Sequence, residues 1–190
     1  NSAGAYGVTI AEHVVMVLLM LLRRMPEYER MRTEREWRRL SPIRSVQGLR
    51  TTVVGTGNVG TETAKRLRAL GASVRGVRRD KSKGGHPAFE GVFAMEEIDS
   101  LLPETDALIL CLPGTRETRR AVDRTRLALL PQGSYLVNMG RGPAVDPEAL
   151  LEALQSGHLA GAALDVTDPE PPTEDSPLWT QPNLILTPHC

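Results

Sequence analysis

Three polar side chains near the end of the chain have types and spacing that could reduce a carbonyl. They are Arg141 in Asn138-Met139-Gly140-Arg141-Gly142, Glu170 in Asp165-Val166-Thr167-Asp168-Pro169-Glu170-Pro171, and His189 in Thr187-Pro188-His189. Hydride reduction of a 2-keto acid needs a fixed cation for the carboxylate and a proton for the carbonyl oxygen. Arg141 can grip a carboxylate in a bidentate fork that lysine cannot form. His189 suits the proton donor, and Glu170 on its other ring nitrogen would orient the imidazole. Each has a plainer use. An arginine between two glycines can simply hold a turn, a glutamate among prolines is usually exposed, and a lone histidine is more often structural. Their joint position at the ends of apolar runs makes chemistry the stronger reading.

The elements that must position them are strands and helices in alternation. Short apolar or β-branched runs at 51–54, 73–77, 91–93, 107–112, 134–138, 160–166 and 184–186 read as strands. Helical patterns lie between them at 58–70, 95–102, 124–130 and 147–156. Continuous apolar strands separated by amphipathic helices predict an α/β fold of the Rossmann type. That is a doubly wound parallel sheet with helices on both faces. Such sheets bind ligands beyond the carboxyl ends of their strands, where Arg141, Glu170 and His189 all fall. Upstream, residues 8–24 read as an apolar helix, and the Arg-rich stretch 27–40, with Trp37, as an amphipathic one. Residues 1–48 then form a helical connection, and 49–190 the nucleotide-binding domain proper.

Gly55-Thr56-Gly57-Asn58-Val59-Gly60 follows the 51–54 strand, opens a helix and precedes a second strand, which makes it a dinucleotide fingerprint. Gly55 permits a tight turn, Gly57 admits the pyrophosphate, and Gly60 lets helix and strand approach. The first helical N–H groups, at Asn58 and Val59, face the phosphate charge. At the end of the second strand stand Arg78 and Arg79, where an NAD enzyme usually carries an acid for the ribose hydroxyls. A guanidinium suits a 2′-phosphate, so NADP is the favoured cofactor. NAD is the alternative, served by Asp80 if the strand runs two residues further.

Composition sets the outer bounds. The 23 basic and 23 acidic residues cancel, so no global field draws nucleic acid or an anionic membrane. The glutamates interleaved through 30–39 argue against a basic patch there. The longest apolar run, 14–22, is far short of the ~20 residues that span a bilayer. Two cysteines, Cys111 and Cys190, make no disulfide framework, and a reduced, cytoplasmic protein is expected. No His, Cys and carboxylate cluster shows metal-site spacing, so no metal is expected, and His13 is read as packing or interface.

With these motifs in place, the chain resembles the D-isomer-specific 2-hydroxyacid dehydrogenases. The likeness runs from Val8-Thr9-Ile10-Ala11-Glu12 and Trp37 through the glycine fingerprint and Leu112-Pro113-Gly114-Thr115. It continues through Asn138-Met139-Gly140-Arg141-Gly142, Leu164-Asp165-Val166 and Glu170-Pro171 to Thr187-Pro188-His189. The resemblance implies that Arg141 binds substrate, His189 is the acid and base, and Glu170 is its partner. It implies that Asp165 meets the nicotinamide end and that Leu112, Pro113, Met139 and Gly140 line the cofactor cleft. Substrates would be small 2-keto or 2-hydroxy acids, and the helix from Val8 would join two domains and help form a homodimer. The family's second, substrate-binding domain has no counterpart in this sequence, so the fragment alone is expected to be catalytically feeble. The family also includes corepressors that sense the dinucleotide, a binding-module alternative that these motifs leave open.

Overall fold

Every strand among the described residues runs parallel to its neighbours, and this alignment gathers the strand ends. In the computed structural model, which describes residues 6–190, seven strands form one sheet: β1 (Arg50–Val54), β2 (Ser73–Arg78), β3 (Gly91–Ala94), β4 (Ala107–Leu110), β5 (Ser134–Asn138), β6 (Leu159–Leu164) and β7 (Leu184–Leu186). Their order is β3-β2-β1-β4-β5-β6-β7, all parallel. The fold is the doubly wound α/β sheet, with its order reversing between β1 and β4. The first five residues of the 1–48 connection lie outside the described residues.

The period-2 alternation of strand side chains divides the core in two. Val54, Val77, Leu108, Leu110, Leu136, Ala162 and Leu164 point to one face of the sheet. There they meet α4 (Ile98–Leu101), α5 (Arg124–Leu129) and α6 (Pro147–Gln155). Val53, Val74, Ile109, Tyr135, Val137 and Ala163 point to the other. That face is covered by α1 (Gly7–Leu22) and α3 (Asn58–Ala69). Both faces being covered explains why β4 is buried along its whole length.

α1 buries Ala11, Val14, Val17, Leu18, Leu21 and Leu22, a stripe at helical spacing. It stops at Arg23, and Arg24 takes a left-handed φ of 58° before α2 (Met25–Thr33) begins. α2 is shorter than the expected 27–40 helix. Met31 is its one buried side chain, and beyond Thr33 no apolar stripe remains to hold a helix against the sheet. Trp37 is fully exposed at 101 %. The expected 95–102 helix is likewise divided: the single α-turn of α4 is flanked by 3₁₀ turns at Met95–Glu97 and Leu102–Glu104. The strand expected over 107–112 leaves the ladder at Leu110, and the one over 160–166 lies at Leu159–Leu164.

Candidate functional site

The sheet register puts Val77, Val54, Leu110, Asn138, Leu164 and Leu186 side by side across β2, β1, β4, β5, β6 and β7. The residues just past this row share one edge of the molecule. They are Arg78, Gly55, Leu112, the 139–141 turn, Asp165 and His189. Parallel pairing alone therefore assembles the sequence-predicted residues along the carboxyl edge.

The glycine turn has the shape a dinucleotide needs. Gly55 has φ of 103°, and a Cβ there would lie 2.5 Å from the Cys111 carbonyl oxygen. A Cβ on Gly60 would sit 1.9 Å from the Gly55 oxygen, so helix and strand touch backbone to backbone. A Cβ on Gly57 would meet nothing within 4 Å. The space in front of Gly57 is open, as an approaching pyrophosphate requires. No side chain caps α3, which leaves its first-turn N–H groups, those of Asn58 and Val59 among them, to a ligand. Thr56 Oγ1 in the same turn is buried without a partner among the described residues. The turn fits a phosphate-bearing group.

At the end of β2, Arg78 closes the strand and donates through Nη1 to the Gly84 carbonyl at 2.7 Å. Arg79 is exposed beside it. Asp80 lies outside the strand and accepts from the Ser82 hydroxyl at 2.5 Å and from its N–H at 3.1 Å. Those hydrogen bonds hold its carboxyl below the usual range. Asp80 is thus engaged with its own loop.

His189 and Glu170 meet directly. His189 Nδ1 lies 2.6 Å from Glu170 Oε1, at a turn where His189 itself takes φ of 56°. Glu170 Oε2 accepts weakly from the Thr167 N–H at 3.4 Å. With the carboxylate accepting at Nδ1, Nε2 is the free ring nitrogen. The pair lines a cleft of about 380 Å³ with Asp165, Trp179, Leu186 and Thr187. Trp179, which no spacing argument singled out, forms part of its wall and is fixed by donating Nε1–H to the Thr173 carbonyl at 2.9 Å.

Arg141 stands one loop away and is not among that cleft's lining residues. It is exposed, with its side chain over Gly114 of the β4 loop and Nη1 donating to the Gly140 carbonyl at 2.7 Å. The loop after β6 packs tightly on the neighbouring Gly142, where a Cβ would lie 1.8 Å from the Thr167 oxygen. Fully buried Asn138 sets the turn: Oδ1 accepts from Gly140 N–H at 3.0 Å, and Nδ2 donates to the Arg141 carbonyl at 3.1 Å. Met139 and Gly140 are buried at this turn, whereas Leu112 is half-buried and Pro113 exposed on the neighbouring loop.

Asp165 is buried, and its Oδ1 accepts from the Thr187 hydroxyl at 2.6 Å and the Cys190 N–H at 3.1 Å. His13, expected to serve packing or an interface, is half-buried against the turn after β7. Its Nε2 lies 3.2 Å from Thr187 Oγ1, across 174 positions of sequence. No cluster shows metal-site spacing along the sequence, but the fold brings three groups of ligand type together. Ligand atoms of His13, Asp165 and Cys190 all lie within 4.8 Å of one another. Sequence spacing could not reveal this group, because α1, the loop after β6 and the turn after β7 contribute one residue each. Cys111 is a free thiol that burial pushes up to about 12. No helix among the described residues is long and apolar enough to cross a membrane.

Comparison with known proteins agrees with this fold. Glyoxylate/hydroxypyruvate reductase A of Salmonella paratyphi B is 34 % identical over 183 residues, covering 96 % of this chain and 58 % of its own length. A D-isomer specific 2-hydroxyacid dehydrogenase of Xanthobacter autotrophicus Py2, solved with NADPH and MES, superposes with a TM-score of 0.87 at 35 % identity, over 99 % of this chain and 59 % of that one. NAD-dependent formate dehydrogenase of Staphylococcus aureus, solved with NAD, gives a TM-score of 0.88 at 34 % identity, over 98 % and 56 %. The chain thus spans less than two thirds of the length of these relatives. The profile of the D-isomer specific 2-hydroxyacid dehydrogenase NAD binding domain matches residues 15–190, and the chain belongs to that family.

Proposed function

We propose that this chain is the cofactor-binding part of an NADP-linked reductase of small 2-keto acids. Residues 1–48 serve as its helical connection and 49–190 as its dinucleotide-binding domain. The observation that carries the reading is the His189–Glu170 pair at 2.6 Å, on the same strand-end edge as the open Gly57 turn. When bound, the nicotinamide supplies the hydride. The protein's own groups do the rest. Gly55, Gly57, Asn58, Val59 and Gly60 hold the pyrophosphate against the α3 N-terminus. Leu112, Pro113, Met139 and Gly140 line the cleft, and Asp165 meets its nicotinamide end. Arg141 grips the substrate carboxylate by its guanidinium fork. His189 gives a proton from Nε2 to the substrate carbonyl oxygen while Glu170 holds Nδ1–H and offsets the ring's charge.

NADP is favoured over NAD because β2 ends on Arg78, with Arg79 next to it and Asp80 occupied by Ser82. The NADPH complex of the Xanthobacter relative is compatible with this choice, and the NAD complex of the Staphylococcus relative keeps NAD as the alternative. Tyr6, Val8, Met16 and Leu19 form an exposed apolar face on and beside α1, which suits a homodimer and is tested by light scattering. Two free cysteines suit a reducing, cytoplasmic setting.

The deciding experiment is steady-state turnover of glyoxylate, hydroxypyruvate and pyruvate with NADPH and NADH by the full-length protein that carries this domain. At least one acid should turn over, with NADPH preferred. Arg78→Asp should move the kcat/KM ratio toward NADH. No turnover with any of the acids ends the reductase reading, and an unchanged cofactor ratio ends the role given to Arg78.

A further inference from the structure

His13 and Cys190 have no part in the hydride-transfer reading, yet both converge on Asp165. Thr187 fixes how they do so. Its hydroxyl has one hydrogen, which goes to the acceptor-only carboxylate of Asp165 at 2.6 Å. At the 3.2 Å contact with His13, the hydroxyl oxygen must therefore accept, and Nε2 carries the ring proton. In the neutral ring Nδ1 then keeps its lone pair, 3.7 Å from Cys190 Sγ. The thiol in turn lies 3.4 Å from Asp165 Oδ1.

We propose that His13 Nδ1, Asp165 Oδ1 and Cys190 Sγ form a binding site for a thiophilic divalent cation of the zinc class. Zinc bonds are about 2.3 Å to sulfur and about 2.0 Å to imidazole nitrogen and carboxylate oxygen. At those lengths the 3.7 Å and 3.4 Å separations subtend about 119° and about 104° at a common ion, both near tetrahedral. Both separations from sulfur thus match the spacing an ion would impose, and the three ligand atoms lie within 4.8 Å of one another. A mixed sulfur, nitrogen and oxygen set selects zinc or cobalt(II) over magnesium and calcium, which take oxygen. Cys190 is exposed and His13 half-buried, so the ion arrives from solvent and its fourth position stays open. Binding replaces the thiol hydrogen by the metal and releases that proton to water. Thr187, bonded to two of the three ligands, orients the set from behind. One consequence rests on the proposed function: if Asp165 meets the nicotinamide end of the cofactor, ion and dinucleotide compete.

Cobalt(II) titration of the purified protein under a non-thiol reductant tests the site. One ion per chain should bind with a thiolate-to-cobalt charge-transfer band and tetrahedral ligand-field absorption. Cys190→Ser and His13→Gln should abolish the band with an unchanged circular-dichroism spectrum, while Cys111→Ser should keep it. Thr187→Val should retain it with affinity weakened about tenfold. A missing band in the unaltered protein, or one that survives Cys190→Ser, overturns the proposal as adventitious surface binding. Zinc should also raise the apparent Kd for the dinucleotide. An intact cobalt band without that competition leaves the ion site standing and overturns the role given to Asp165.

Discussion

At the scale of single residues, the His189–Glu170 contact makes a sharper claim than either residue alone. If Glu170 acts only by holding Nδ1, its effect must pass through the imidazole. His189→Gln should lower kcat by about 10²- to 10⁴-fold. Glu170→Gln should lower kcat by a smaller factor with KM little changed. In the His189→Gln background, Glu170→Gln should then cost almost nothing more. Additive losses measured in the double variant would show that Glu170 works on the substrate directly. The sequence made this pair legible because each residue follows a strand in a dinucleotide fold. It hid the Asp165–Thr187–His13–Cys190 group for the opposite reason. Those side chains come from opposite ends of the chain, and only the seating of α1 on the β5–β6 face joins them.

At the scale of elements, the turn between β1 and α3 separates folding from binding within a few residues. Gly60 is required by the packing, since its Cβ would collide with backbone at 1.9 Å. Gly60→Ala should destabilise the fold by about 1–3 kcal/mol, read from urea denaturation. Gly57 meets nothing and has an ordinary φ of −74°. Gly57→Ala should leave stability within about 0.5 kcal/mol while weakening dinucleotide binding at least about tenfold, read by calorimetric titration. Equal effects of the two substitutions on stability would refute that division. The glycine spacing was readable because each glycine answers a separate steric demand. The extent of α2 was not, because charge periodicity along 27–40 resembles a helix whether or not anything lies beneath it. Only Met31 found a place in the core, and the helix ends two residues later.

At the scale of the whole molecule, the parallel sheet sends chemistry to its carboxyl edge and leaves the amino edge free to secure the fold. The parallel sheet was readable from the alternation of apolar runs and helices, but the ties across the amino edge had no signature in spacing. The main one is Asp106, which accepts from Arg50 Nε at 2.9 Å and Arg50 N–H at 3.0 Å at the start of β1. It also accepts from Arg44 Nη2 at 3.1 Å, whose other arm donates to the Gly133 carbonyl before β5. Burial pushes the carboxyl up, and the Arg50 and Arg44 hydrogen bonds outweigh it, holding Asp106 at about 2. A carboxyl depressed on folding stabilises the native state above its unfolded value of about 4 and loses that contribution as pH falls through the folded value. Asp106→Asn should therefore cost about 1–2 kcal/mol at pH 7, discounted for the exposure of the arginines, and the gap should close between about pH 4 and pH 2. Denaturation curves at pH 7 and near pH 2.5 measure it. Because this tie lies at the opposite edge from Gly57 and Asp165, the same variant should bind dinucleotide as the unaltered protein does at pH 7. A constant stability gap across that range would mean that the arginines hold the amino edge without help from the Asp106 charge.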